Sequence, residues 1–187
     1  MDLSAIALQI AFMLREERLG RRRLAKRVGL GEMAVRLELD RLREAGLVHL
    51  DRAGCRLSPK GVRAFRPFLD PVRKLIPVDL AELRMDEAHV AAHLAMGLDG
   101  PSAWALRDAG IRAGATGLIS LTRIEDEWAF SHNGEPIRAQ NPRDAEQLSS
   151  RFPNPAPGDS LLLSAGPDLA MCTSGMWTVI RTLYEKP

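Results

Sequence analysis

The 187 residues carry 45% hydrophobic and 27% charged side chains, a globular balance with room for one large domain or two small ones. No run of 18 apolar residues exists, and the start, MDLSAIALQIAFMLREE, lacks the early positive charge and small-residue cleavage site of a secretory signal; the chain is expected to be cytoplasmic, with no membrane partner. The net charge of +2 conceals an asymmetry: residues 1–66 hold 15 Lys/Arg against 8 Asp/Glu, a net of +7, and residues 67–187 hold 11 against 16, a net of −5, so only the front part is expected to meet a polyanion.

Leu3, Ile6, Ile10, Met13 and Leu14 recur at helical spacing and predict a first helix over 3–17, punctuated by Gly20. RRLAKRV at 22–28 predicts a short second helix, followed by Gly29, where a left-handed turn needs no Cβ. A third helix spans 31–45, held inward by Val35, Leu39 and Leu42 and ended by Gly46. LVHLDRAGCRL at 47–57 reads as a hairpin around Asp51-Arg52-Ala53-Gly54. Ser58-Pro59 then supplies a cap and an N1 proline for a fourth helix over 59–66.

The proline-bearing stretch RPFLDPVRKLIPVDL reads as a connector. The expected divisions are therefore 1–66, a linker over 67–80, and a second domain over 81–187. Residues 81–85 stay ambiguous. AHVAAHLAM at 88–96 alternates as a strand, although its alanines also suit a helix. Ser102 caps a helix running to Ala113. A strand over 117–124 turns at Glu125-Asp126 and returns through Glu127 to Phe130. Pro142 to Phe152 predict a short helix, PNPAPGD a loop, and 160–165 a buried strand. The stripe Leu169, Cys172, Met176, Ile180 and Leu183 marks a closing helix over 168–184, a core element before an interface. The expected fold class is α+β: an N-terminal winged helix-turn-helix followed by a separate α+β domain.

The segment GLGEMAVRLELDRLREAGLV at 29–48 resembles the turn and recognition helix of bacterial and archaeal winged-helix regulators, and LSPKG at 57–61 resembles the run that often leaves their wing. That resemblance implies double-stranded DNA as partner. An α-helix fits the major groove when its apolar stripe faces the core and its opposite side is free. With Leu30, Val35, Leu39 and Leu42 turned inward, Glu32, Met33, Arg36 and Leu37 face outward. Arg36 is the candidate for a bidentate guanine contact. Arg21, Arg22, Arg23 and Lys26 on the second helix and Arg41 and Arg43 further along the third are candidates for phosphate, and Arg52 at the wing tip for phosphate or the minor groove. Gly31 stands where a Ser or Thr cap is usual, and Glu32 and Leu37 leave the reading face poor in hydrogen-bonding groups. A protein-binding winged helix is thus a rival reading.

LRDAGIRAGATGLISL at 106–121 resembles a stretch in archaeal two-domain proteins that join a winged helix to an uncharacterised C-terminal α+β domain. A transcription regulator is what that resemblance implies. A homodimer is expected, since DNA regulators usually pair two half-sites, and a small-molecule effector is expected in the second domain, with Arg107 and Asp108 as ligand candidates. His89 and His93 invite a metal reading, but on a strand residues four apart lie about 13 Å from each other by the strand rise, too far for one ion. Cys55 and Cys172 match no metal-ligand spacing and read as packing residues. No G-x-S-x-G, phosphate-cradling Gly loop or H-E-x-x-H is present, and the carboxylate clusters Asp86-Glu87 and Glu125-Asp126-Glu127 read as solvated turns. No catalytic residue, cofactor or metal is expected. An enzyme with an accessory winged helix is the other rival.

Overall fold

The computed structural model describes residues 3–98 and 102–184; the outermost residues of the expected domains, 1–2 and 185–187, lie outside these. The chain divides into two compact units, Met1–Asp70 and Pro71–Pro187. Among the described residues no helix is long and apolar enough to cross a membrane.

The first unit runs α1 (Ala5–Leu14), α2 (Arg21–Val28), α3 (Glu32–Glu44), β1 (Val48–Asp51), β2 (Gly54–Leu57) and α4 (Pro59–Leu69). Helix α1 starts later than the expected 3–17 because Ser4 caps it, its Oγ accepting the Ala7 N–H at 3.0 Å, and it ends at Leu14. Ala7, Leu8, Ile10 and Ala11 are all fully buried, a wider inner face than the expected stripe. Gln9 reaches from α1 to the end of α2, donating to the Val28 carbonyl at 3.2 Å. The hairpin pairs Val48 with Leu57 through to Asp51 with Gly54. Leu19 adds a third rung by exchanging both backbone hydrogen bonds with Cys55, at 3.1 and 2.8 Å.

The run Leu57-Ser58-Pro59-Lys60-Gly61 is a joint. Ser58 Oγ accepts the Gly61 N–H at 2.9 Å and donates to the Gly46 carbonyl at 2.6 Å, while Lys60 Nζ donates to the Ala45 carbonyl at 2.8 Å. The end of α3 and the start of α4 are thereby capped by one another. Gly61 is required here: a Cβ would lie 2.0 Å from the Leu47 carbonyl oxygen.

The second unit comprises β3 (Val72–Val78), β4 (Ala88–Leu94), α5 (Ala103–Arg112), β5 (Gly117–Ile124), β6 (Glu127–Phe130), a 3-10 turn at Ile137–Ala139, α6 (Pro142–Arg151), β7 (Ser160–Gly166) and α7 (Leu169–Thr182). The strands form one five-stranded sheet in the order β3-β4-β7-β5-β6, with every neighbouring pair antiparallel. Alternation along each strand gives the sheet two buried faces. On one face Ala91, Leu121, Trp128, Leu161 and Leu163 meet Ala145, Leu148 and Phe152 of α6 and its exit. Helices α5 and α7 pack on each other and on β5, β4 and β7. Their approach is close: a Cβ at Gly175 of α7 would come within 3.3 Å of the Gly110 carbonyl oxygen of α5, and within 2.7 Å of the Ala115 Cβ just beyond it. Cys172, Met176 and Ile180 are fully buried while Leu169 is 46% exposed, so the α7 stripe packs in the core.

The expected linker over 67–80 is corrected. Pro67 lies inside α4, and residues 72–78 are the edge strand β3, registered against β4 from Val72↔Leu94 to Val78↔His89. Pro77 misled the reading. An edge strand leaves one side of its backbone without ladder partners and accommodates proline there. The strand expected over 88–96 spans 88–94, and 81–85 form neither helix nor strand.

Candidate nucleic-acid interface

Helix α3 buries Val35, Leu39 and Leu42, which turns the opposite side to solvent. Met33 and Leu37 are each 64% exposed, and Glu32 and Arg36 are exposed beside them. Leu30, expected to anchor the helix, is only half-buried. Arg36 lies 3.8 Å from Asp40, an exposed i,i+4 pair that costs little to exchange for another partner. Arg41 is more firmly held: its Nε and Nη2 meet Glu38 at 3.2 and 2.7 Å, and Glu38 also accepts from Ser4 Oγ at 2.8 Å. The outward face of α3 thus carries Met33, Arg36, Leu37, Asp40 and Glu44 at i, i+3, i+4, i+7 and i+11. Its two further carboxylates, Asp40 and Glu44, escaped the sequence reading, although helical spacing from Arg36 was enough to find them.

On α2, Arg21, Arg22, Arg23, Lys26 and Arg27 are all exposed. Arg23 and Arg27 turn back to Glu17, whereas Arg21, Arg22 and Lys26 have no ion pair among the described residues. Helix α2 begins at Gly20 with no side-chain cap, and α3 likewise begins at Gly31 with none. Uncapped first-turn N–H groups and the positive end of the helix dipole favour an anion at both places.

A cleft of about 560 Å³ lies between the start of α2, the later part of α3 and the hairpin. It gathers Arg21, Arg43 and Arg52, with Gly20 and Asp40 on its wall. Arg43 is 3.7 Å from Asp40. The hairpin tip is fixed by Asp51, whose Oδ1 accepts the Ala53 N–H at 2.8 Å and pairs with Arg18 at 3.3 Å. Of the sequence candidates the fold therefore brings Arg21 and Arg52 together, leaves Arg22, Lys26 and Arg36 exposed, and ties Arg23 and Arg41 to carboxylates. Arg43, expected with Arg41 to reach phosphate, joins Arg21 and Arg52 in the cleft.

The polar residues of the second unit have other work. His89 accepts the backbone N–H groups of Met85 and Asp86 through Nε2, at 3.0 and 3.4 Å. Burial holds its pKa below the usual histidine value, and the Arg84 guanidinium adds to this. His93 Nε2 lies 2.7 Å from Asp159 Oδ2, with Trp128 and Phe152 edge-on to its ring. The two histidines thus engage separate partners. Asp144, which the sequence reading passed over, is fully buried and accepts three backbone N–H groups, from Ala81, Glu82 and Leu83, at 2.9, 2.9 and 2.6 Å. Burial pushes both thiols, Cys55 and Cys172, up to about 11, helped by the nearby Asp51 and Asp168, as suits packing residues. Arg107 and Asp108 are exposed on α5, and Arg107 leans over the Trp104 ring at 5.8 Å.

Residues 8–70 match the family model of the CggR N-terminal DNA binding domain. The first unit is thus similar to a DNA-binding domain over nearly its whole length. No curated protein matches the chain. Among solved structures, a hypothetical protein from Pyrococcus horikoshii OT3 superposes with a TM-score of 0.75 at 22% identity, covering 98% of this chain and 92% of that one. That likeness extends the shared fold to both units.

Proposed function

We propose that the protein is a cytoplasmic, sequence-specific DNA-binding transcription regulator, acting as a homodimer and answering to a small molecule through its second unit. Recognition, not catalysis, is its role in this reading. The observation that carries it is the grouping of Arg21, Arg43 and Arg52 around one cleft at the uncapped start of α2, within the segment similar to a DNA-binding domain. Phosphates gripped there would position the protein without reading sequence, and the exposed face of α3 would read base edges through Arg36. Met33 and Leu37 would suit thymine methyl groups. Their exposure also favours a second reading, in which α3 docks on a protein partner.

A salt titration of the full chain on duplex DNA tests the proposal. The logarithm of the binding constant should fall with the logarithm of salt concentration, by about 0.9 for each phosphate neutralised. A chain that ignores duplex DNA at low salt overturns it and leaves the protein-docking reading.

A further inference from the structure

A cleft of about 440 Å³ opens where α5 passes the sheet beside β5 and β6. Its walls are largely apolar: Trp104 from α5, Leu118 and Ile119 from β5, and Phe130 at the end of β6. Trp104 is 71% exposed, the most exposed large apolar side chain of the described residues, and the cleft presents its ring to solvent. Among the described residues the one charged member of the lining is Arg107, whose guanidinium sits 5.8 Å from the Trp104 ring centre, and His132 stands among the other lining groups. Among the described residues no Asp or Glu lines the cleft. In a segment that carries 16 Asp/Glu against 11 Lys/Arg over residues 67–187, a lining whose described residues hold a single cation and no carboxylate is a local reversal of charge.

The sheet adds a directional group. Strand β5 runs Gly117–Ile124, but β6 pairs with it only from Leu121↔Phe130 to Ile124↔Glu127. The Arg123 N–H bonds to Asp159 on the β7 side, and the Ser131 N–H bonds to the Ser120 carbonyl on the β6 side. Backbone groups alternate along a strand, so the N–H and C=O of Leu118 point outward with those of Ser120. No strand pairs with Leu118 on that side among the described residues. An apolar wall, one cation and an open backbone edge converge on one concave place, the composition of a small-molecule site.

We infer that this cleft binds a small organic acid: a flat apolar body lying against Trp104 and Phe130, with one carboxylate paired to Arg107. The guanidinium fork matches a carboxylate in two parallel hydrogen bonds. The aromatic surface supplies area at little cost in side-chain entropy. The inference deepens the ligand-responsive part of the proposed function by naming the ligand class, and it is tested without DNA, so its failure leaves the DNA reading standing.

The test uses the full chain titrated with 2-naphthoate, a flat apolar body with one carboxylate, against the neutral 2-naphthamide, by calorimetry and by tryptophan fluorescence. Saturable binding of the acid is expected, at least tenfold tighter than of the amide. Arg107→Gln should remove that difference while leaving amide binding in place. Trp104→Ala should weaken both ligands at least fivefold. Both side chains are exposed, so neither change disturbs the core, and unchanged thermal unfolding of each variant checks this. Equal affinity for acid and amide, a preference that survives Arg107→Gln, or no saturable binding of either ligand at millimolar concentration overturns the inference.

Discussion

The two units use their polar side chains in opposite ways. In the first, Arg21, Arg22, Lys26, Arg36 and Arg52 stand in solvent, while the core is closed by apolar side chains and tied by the buried Gln9 and by the joint at Ser58 and Lys60. In the second, Asp144, His89, His93 and Asp159 are buried and tied to backbone or to each other. Exposed polar groups keep their bonding capacity for a partner, whereas buried ones have already committed it to the fold. His89, His93, Asp144 and Asp159 thus spend their bonding capacity on the fold of the second unit, whereas the exposed arginines of the first, like Arg107 in the second, keep theirs. The composition also separates the units experimentally: all three tryptophans, at 104, 128 and 177, lie beyond residue 70, so tryptophan fluorescence reports on the second unit alone.

The sharpest way to break the contrast is Asp144→Ala. It strands three backbone N–H groups, and at about 1–3 kcal/mol for each buried donor left unpaired, partly rehydrated, the loss should reach about 3–5 kcal/mol. The denaturant midpoint followed by tryptophan fluorescence should fall steeply, with Asp144→Asn intermediate because one acceptor oxygen remains. An unchanged midpoint would mean that the loop over 79–87 is held by something else.

Gly61→Ala is the counterpart in the first unit. Its new Cβ meets backbone, which cannot swing aside as a side chain can, so the cost should be about 2–3 kcal/mol, the upper part of the overpacking range. Circular dichroism should record the loss of helix while tryptophan fluorescence holds its midpoint. Coincident shifts in both signals would show that the units unfold together.

On DNA, Arg36→Ala should cost about 1–3 kcal/mol on a specific site and relax preference at one base pair, whereas Arg22→Ala should weaken specific and random duplexes alike and lower the salt slope by about 1. Quantitative binding to both kinds of duplex separates them. Equal losses for both variants would move the reading face away from α3.

The smallest effect is a pH dependence. His89 is held neutral in the fold chiefly by burial, with Arg84 adding to this and Asp86, Asp144 and Asp79 opposing it. The unfolded chain then binds a proton at higher pH than the folded one, so stability present at neutral pH is lost as the pH falls below the ordinary histidine value of 6.5. The fluorescence midpoint should decline in that window, and His89→Gln should flatten the decline. An equal decline in the variant would assign the effect to another group.

The outline of the fold was legible where local signals agreed. The helix over 31–45, the hairpin around Asp51 to Gly54, the strand over 117–124 and the helix after Ser102 all declared themselves by period, cap or turn. Strand β3 did not, because Pro77 and Pro71 imitate a linker and only its place at the sheet edge makes a proline there harmless. The basic candidates were legible as a set but not in their states. Arg41 is tied to Glu38 three residues earlier, a spacing visible in the sequence, yet Arg23 turns to Glu17 across the bend before α2, which is not.

The sequence by itself determined the class of structure, the helix faces and the charge division, since these follow from periodicity and composition over short windows. It also placed Gly29, and the cap at Ser58, where local backbone geometry decides. Only the tertiary structure decided which polar groups remain free. Asp144 is consumed by residues 61 to 63 positions away, and His93 by Asp159, 66 away. Arg21 and Arg52 line one cleft, and Trp104 lines another with residues of β5, through chain crossings that no local pattern encodes. A side chain's availability depends on which distant groups desolvate it or bond to it, and those partners are fixed only when the strands and helices have packed.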